Sequence, residues 1–250
     1  MQKKFSTVIM AAGKGTRMKD PSKAKVMFPV NGRPMLQHVI ELAQSLRSER
    51  IISIVGFHRD SVIDFLGKVA PKTETVVQEP QLGTGHAVMQ TEPLLKNYAG
   101  DVLVLSGDVP LLRSETIQKL IGHHNESNAV GTILTAVLDD ATGYGRILRN
   151  KNGFVTGIIE HKDATEKQRE VKEINSGIYI FNAKSLYEAL QHINPHNAQN
   201  EYYLTDVFSY FSSHHCVIAA IPADDFNEIR GINTLEQLKE AEKLLNARNK

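Results

Sequence analysis

The sequence predicts an α/β protein: a doubly wound, mostly parallel sheet with a mixed β extension over its second half. Three observations carry this. Short runs rich in valine and isoleucine alternate with helical patterns through the first half of the chain. The first of these runs empties directly into a glycine-rich loop, Gly13-Lys14-Gly15-Thr16-Arg17. After Ser114 the helical spacing thins out and strands predominate.

Taken in order, Phe5 to Met10, Ile51 to Val55, Thr75 to Gln78 and Val102 to Leu105 read as buried strands bounded by turn residues. Between them, Arg33-Pro34 is expected to open a helix with proline in its first turn and an apolar stripe of Leu36, Val39, Ile40, Ala43 and Leu46. Asp60 is placed as the cap of a second helix, and a third runs from Gly85. Ser114 is read as the N-cap of a helix with Ile117, Leu120 and Ile121 on one face. Val130 to Leu138, Arg146 to Leu148, Val155 to Ile159 and Ile174 to Phe181 then form strands fit to roof a second ligand. Thr234 and Gln237 make a capping-box pair ahead of a terminal helix with Leu235, Leu238, Ala241 and Leu245 on one face, which either packs on its own domain or reaches a partner.

Composition narrows the function. With 250 residues and 41% hydrophobic content the chain can bury one sizeable core. Its 29 basic and 28 acidic side chains leave a net charge of +1, so no nucleic-acid footprint dominates and any anion site is local. The ligand is expected to be small. Cys216 is the only cysteine, which excludes an internal disulfide and a thiolate metal cluster; before Val217 to Ile221 it reads as a buried thiol at a strand edge. No apolar run reaches the ~18 residues of a membrane span, and the start, Met1-Gln2-Lys3-Lys4, is too brief for a signal peptide. The expected location is cytoplasmic, with no membrane partner.

Four segments carry chemistry. In the first loop, two glycines let backbone N–H groups converge on an anion while Lys14 and Arg17 supply charge. A dinucleotide fingerprint would need its third glycine at Met18, and no Walker A offset is present, so spacing alone leaves a simple turn open. Lys25 lies close enough in sequence to join Arg17 on one polyphosphate. Asp108, in the Ser106-Gly107-Asp108 turn that ends a buried strand, is either a turn residue or a carboxylate for Mg²⁺, which needs only one or two protein oxygens. Asn233 offers a second oxygen or an ordinary helix entry. Gln78, with an amide that both donates and accepts, sits before Gly83-Thr84-Gly85, where backbone can approach a base; His86 is read as a cap or core partner.

Taken together, Ala11 to Met18, Gln81 to Ala87, Gly107 to Leu111, Asp140 to Arg146, Glu160 to Thr165, Glu173 to Tyr179 and Asn197 to Asp206 closely resemble the uridyltransferase domain of bacterial N-acetylglucosamine-1-phosphate uridyltransferases, in order, from about Phe5 to Asn233. The resemblance implies a Rossmann-like nucleotidyltransferase fold over residues 1–233, with a nucleotide half (1–112), a sugar half (113–233) and a C-terminal helix (234–250). It implies Met10, Ala11, Ala12, Gly13, Gln78, Gly83, Thr84, Ser106 and Gly107 on the nucleotide, and Arg17, Lys25 and Asp108 as catalytic residues. Asp108 and Asn233 would hold Mg²⁺, and Gly145, Glu160, Asn175 and Tyr203 would meet the sugar. The reaction implied is uridylyl transfer from UTP to N-acetylglucosamine 1-phosphate. The alternatives are the same chemistry on another sugar phosphate or nucleotide, and a nucleotide-sugar-binding regulatory subunit. Oligomerisation would run through the C-terminal helix. Ala24 departs from the family's usual proline before the lysine, which bears on how the Lys25 loop is held. The second domain of the resembled enzyme, a left-handed β-helix acetyltransferase, is not among these 250 residues.

Overall fold

The computed structural model describes residues 3–18 and 20–248; Met1, Gln2, Lys19, Asn249 and Lys250, which include the first residues of the amino-terminal run and the last two of the terminal segment, lie outside the described residues. Nine strands form the main sheet: β1 (Phe5–Ala11), β2 (Ile51–Val55), β3 (Glu74–Val77), β4 (Asp101–Ser106), β5 (Gly131–Val137), β6 (Arg146–Arg149), β7 (Val155–Ile159), β8 (Glu173–Asn182) and β9 (Ile218–Pro222). The order is β9-β5-β8-β4-β1-β2-β3, with β6 and β7 branching from β8. Strand β8 runs antiparallel to both β4 and β5, whereas the β4-β1, β1-β2, β2-β3 and β9-β5 pairs are parallel. Every strand of the main path except β8 therefore points the same way.

Alternation along β1 explains why it reads as a continuous apolar run. Phe5, Ile9 and Ala11 enter one buried cluster, and Val8 and Ala12 enter the cluster on the other face. Helices α1 (Met35–Ser45), α2 (Arg59–Val69), α3 (Thr84–Met89), α4 (Ser114–Ser127), α5 (Ala183–Leu190), α6 (Asp206–Ser213) and α7 (Leu235–Arg248) cover the sheet. The sequence order β1 to β3 grows to one side of β1, and β4 then returns to its other side. That reversal opens a crevice at the carboxyl ends of β1 and β4, where open α/β sheets bind ligands.

Several local expectations need correction. Pro34 is not in the first turn of α1 but precedes it in an extended conformation, paired with Pro29 in a short hairpin with Val30 and Arg33. Asp60 lies inside the first turn of α2; the cap position is His58, whose left-handed backbone (φ 52°) turns the chain so that its carbonyl accepts from Ser61 N at 3.1 Å. Ser114 is the first residue of α4, with extended Arg113 before it; its Oγ accepts from Gln118 Nε2 at 3.2 Å and caps no backbone N–H. The third helix begins at Thr84 rather than Gly85. Cys216 is only half-buried, in the turn before β9. Local side-chain chemistry was overridden here by backbone turns that the tertiary path demands.

The capping box forms as expected: Gln237 N donates to Thr234 Oγ1 and Thr234 N to Gln237 Oε1, both at 3.2 Å. Helix α7 packs back onto the chain, with Ala241, Leu238, Leu244 and Leu245 against Met18, Phe28, Val30, Met35, Leu111 and Ile232. Arg248 fastens its far end by donating to the Leu111 carbonyl at 2.6 Å. No helix among the described residues is long and apolar enough to cross a membrane.

Candidate functional site

The crevice is a cleft of about 560 Å³. Met10, Ala12, Gly13, Lys25, Gln78, Gly83, Thr84, Ser106 and Asp108 all line it, together with Lys14, Thr16 and Gly15 of the first loop. Gln78 follows β3 and Asp108 follows β4, and two strands lie between these in the sheet order. At ordinary strand spacing the two ends of the cleft are therefore about 14 Å apart, the span of a nucleotide rather than of a single phosphate.

Asp108 and Asn233 meet at one end although 125 positions separate them in sequence. Ile232 N donates to the Asp108 carbonyl at 2.9 Å, which docks the segment before α7 onto the turn after β4. Asn233 N donates to Gln237 Oε1 at 2.7 Å, so the capping residue of α7 also holds the asparagine. The Lys25 ammonium then lies between two oxygens: it pairs with Asp108 Oδ2 and donates to Asn233 Oδ1 at 2.7 Å. Arg17 donates to the same Asn233 Oδ1 at 2.8 Å. Gly15 makes this possible, because its backbone is left-handed (φ +62°) and a Cβ there would collide with Lys25 Cβ. Ala24, with φ −62° and ψ 143°, already holds the backbone that proline would impose, so the departure from the resembled pattern leaves Lys25 in place.

Asp108 Oδ2 and Asn233 Oδ1 thus converge on one positive centre, and both are hard oxygens. That donor set fits a divalent cation of the magnesium type, which keeps most of its ligands as water and phosphate oxygens. Among the described residues no cluster of three or more His, Cys, Asp or Glu side chains could hold a metal, so a tighter protein cage is not offered.

At the other end, Gln78 is buried and donates from Nε2 to the Gly83 carbonyl at 2.9 Å. Gly83 has φ +106°, and a Cβ there would meet the Tyr202 carbonyl at 2.6 Å, so the chain passes close to the 201–205 segment only because residue 83 is glycine. Thr84 Oγ1 accepts from Leu204 N at 3.0 Å, a tie between the loop after β3 and the segment before α6. His86 lies 3.3 Å from the Gln78 amide, and burial holds its pKa below the ordinary value, in keeping with a core partner.

Of the remaining expected residues, Ala11 turns its side chain into the core on the opposite face, leaving only its backbone for a ligand. Gly107 holds the turn by donating from N to the Met10 carbonyl at 3.0 Å. Gly145, Glu160 and Asn175 are brought together: a Cβ on Gly145 would lie 3.3 Å from Glu160 Oε2 and 3.4 Å from Asn175 Cβ. Thr205 Oγ1 donates to Glu160 Oε1 at 3.2 Å, which places Tyr203 beside this group. The bulge in β8 between Asn175 and Tyr179 brings Gly177 beside the turn after β4, where its Cβ position would be 3.7 Å from Ser106 Oγ. Gly145, Glu160, Asn175 and Tyr203 do not line the 560 Å³ cleft itself. Burial raises the Glu160 pKa, with the carboxylates of Asp206 and Asp163 adding to it, and burial pushes the Tyr203 phenol up to about 12. Asp163 Oδ2 is buried without a hydrogen-bond partner among the described residues.

The sequence reading did not single out Gln81 or Glu201, both in the cleft wall. Gln81 opens the Gln81 to Ala87 motif, two residues before Gly83, and that neighbourhood was its available signal. Glu201 reaches the cleft from a distant loop, and its place within the Asn197 to Asp206 motif was its only signal.

A sequence model of the family described as nucleotidyl transferase matches residues 6–229, and the chain belongs to that family. Among its relatives, the bifunctional protein GlmU of Geobacillus sp. (strain WCH70) is 48% identical over 99% of this chain and 53% of its own length. The bifunctional protein GlmU of Listeria welshimeri is 44% identical over the same shares of the two chains. The chain thus spans about half the length of the curated relatives it matches. A solved UDP-glucose pyrophosphorylase, complexed with UDP-glucose, superposes with a TM-score of 0.78 at 17% identity, covering 98% of this chain and 99% of that one, a likeness of fold.

Proposed function

We propose that the chain transfers a uridylyl group from UTP to N-acetylglucosamine 1-phosphate, releasing pyrophosphate and UDP-N-acetylglucosamine. The observation that carries this reading is the meeting of Arg17, Lys25, Asp108 and Asn233 at one end of a cleft whose other end presents Gln78 and Gly83. The cationic end suits a triphosphate, and the amide end suits a base edge with alternating donor and acceptor. With its Nε2 committed to Gly83, Gln78 has its carbonyl oxygen left to accept from a pyrimidine N–H.

A phosphate oxygen of the sugar phosphate attacks the α-phosphorus in line. That P–O bond forms as the bond to the β-phosphate oxygen breaks, and pyrophosphate leaves with the electron pair. No covalent intermediate on the protein is needed, because the attacking phosphate is already a nucleophile. Arg17 and Lys25 hold the phosphates and neutralise charge as it moves to the leaving group. Mg²⁺, held by Asp108 and Asn233, would supply further charge neutralisation on the triphosphate. Glu160, Asn175 and Tyr203 offer acceptors and donors to sugar hydroxyl and acetamido groups, and the tie from Thr84 to Leu204 joins the nucleotide half to the sugar half.

The test is to give the purified chain Mg²⁺, each of the four common ribonucleoside triphosphates and a panel of sugar 1-phosphates, and to measure pyrophosphate. UTP with N-acetylglucosamine 1-phosphate should exceed every other pair. Release with a different pair overturns the substrates, and silence across the panel overturns catalysis.

A further inference from the structure

The cleft does not end in bulk protein beyond Gln78. A second cavity of about 530 Å³ adjoins it, and Lys14, Gln78 and Gln81 belong to the walls of both. Its other walls include Gly56, Phe57 and Pro80. Of the three shared residues, Gln81 is the one whose amide bonds to Ala12, in the wall of the first cleft, and rests against Gly56, in the wall of the second. Its Nε2 donates to the Ala12 carbonyl, which also accepts from Phe57 N at 3.1 Å. Both lone pairs of that carbonyl are thereby used. The amide also rests on Gly56, where a Cβ would stand 2.7 Å from Gln81 Nε2 and 2.9 Å from both the Ala12 carbonyl oxygen and the Ala12 Cβ. Residue 56 is therefore a glycine that lets residue 81 close the gap.

We propose that Gln81, seated on Gly56 and Ala12, is the partition that limits the base end of the cleft to single-ring bases. A pyrimidine reaching Gln78 and Gly83 stops against this wall, and a purine, longer by a fused five-membered ring, meets it. Removing the wall joins two cavities of about 560 and 530 Å³ and gives the second ring somewhere to go. The inference rests on the reading that the base occupies the Gln78 end. Gln81 contributes to selection by excluding the wrong base, which costs that base a steric clash and leaves the right one untouched.

The experiment compares wild type, Gln81→Ala and Gly56→Ala, measuring kcat/KM with UTP and with ATP, and the dissociation constants of UDP and ADP by calorimetry. Wild type should prefer the uridine nucleotide in both assays. Gln81→Ala should raise the ATP-to-UTP ratio of kcat/KM about tenfold or more, mainly through KM for ATP, with a matching gain in ADP affinity. Gly56→Ala should move both ratios in the same direction, because its Cβ displaces the Gln81 amide. Gln81→Asn, shorter by one methylene, serves where the alanine variant does not fold and should give an intermediate ratio. Folded variants that keep the wild-type ratios in both assays overturn the partition alone. A wild type with no preference for uridine nucleotides overturns the base assignment, and the partition with it.

Discussion

At the scale of single residues, the site is a balance between Lys25 and the two oxygens it bridges. Asp108→Ala removes one of those oxygens but keeps the Asp108 backbone carbonyl that accepts from Ile232 N, so the turn should stay folded. The expected outcome is a loss in kcat of about a hundredfold to a thousandfold, the usual scale for removing one preorganised electrostatic group. Steady-state pyrophosphate release over a Mg²⁺ series checks this, and near-normal turnover at limiting Mg²⁺ would refute the role of Asp108. Asp206 provides a test by pH. Burial, with the Asp163 carboxylate beside it, pushes its pKa up to about 6 from an ordinary 3.8. Between these values the folded protein keeps a proton that the unfolded chain has released, so this group lowers stability as pH rises through that window, and the full cost is present above it. Asp206→Asn should therefore be more stable than wild type near neutral pH, with the gain vanishing as the pH falls below 3.8. Denaturant midpoints across the range measure the difference, and a gain independent of pH would refute the assignment.

Among the elements, α7 is more than a terminal helix, because its capping residue also fixes a residue of the site. Gln237 Oε1 accepts from both Thr234 N and Asn233 N. Gln237→Ala is expected to cost about 0.5 to 2 kcal/mol as a lost cap. It should also lower kcat, because Asn233 loses the bond that orients it toward Lys25 and Arg17. Thermal melts and initial rates measured on the same preparation separate the two effects, and destabilisation with unchanged kcat would show the cap to be structural only. The capping-box pattern was legible in the sequence; its second accepted bond, which reaches the site, was not. The same contrast holds at Arg113. Sequence spacing favoured Ser114 as the cap of α4, yet Arg113 occupies the cap position and sends its guanidinium to buried Glu228.

At the scale of the whole molecule, a contact at Glu228 joins segments more than a hundred positions apart in the sequence. Glu228 is 1% exposed, pairs with Arg113, and its Oε2 accepts from Thr116 Oγ1 at 2.5 Å. This joins α4 to the segment that carries Asn233 back to Asp108. Arg113→Ala leaves a buried carboxylate without its cation and should cost about 1 to 3 kcal/mol. Glu228→Gln, which removes the charge but keeps an amide able to accept from Thr116, should cost less. Equal losses for the two variants in urea unfolding would show that packing, not the unpaired charge, sets the cost.

The sequence by itself determined the alternation of strands and helices in the first half of the chain, the glycine-rich loop that follows β1, and most of the side chains that line the 560 Å³ cleft. It could do so because strand periodicity, glycine at tight turns and proximity along the chain are all local properties. Only the tertiary structure decided how Asp108 and Asn233 converge on Lys25, that Ala24 serves where proline is usual, that α7 folds back onto its own chain, and that Gln81 stands between two cavities. Each of these depends on where distant segments pass one another. A side chain's neighbours across that gap are set by sheet order and turn path, which no window of adjacent residues records.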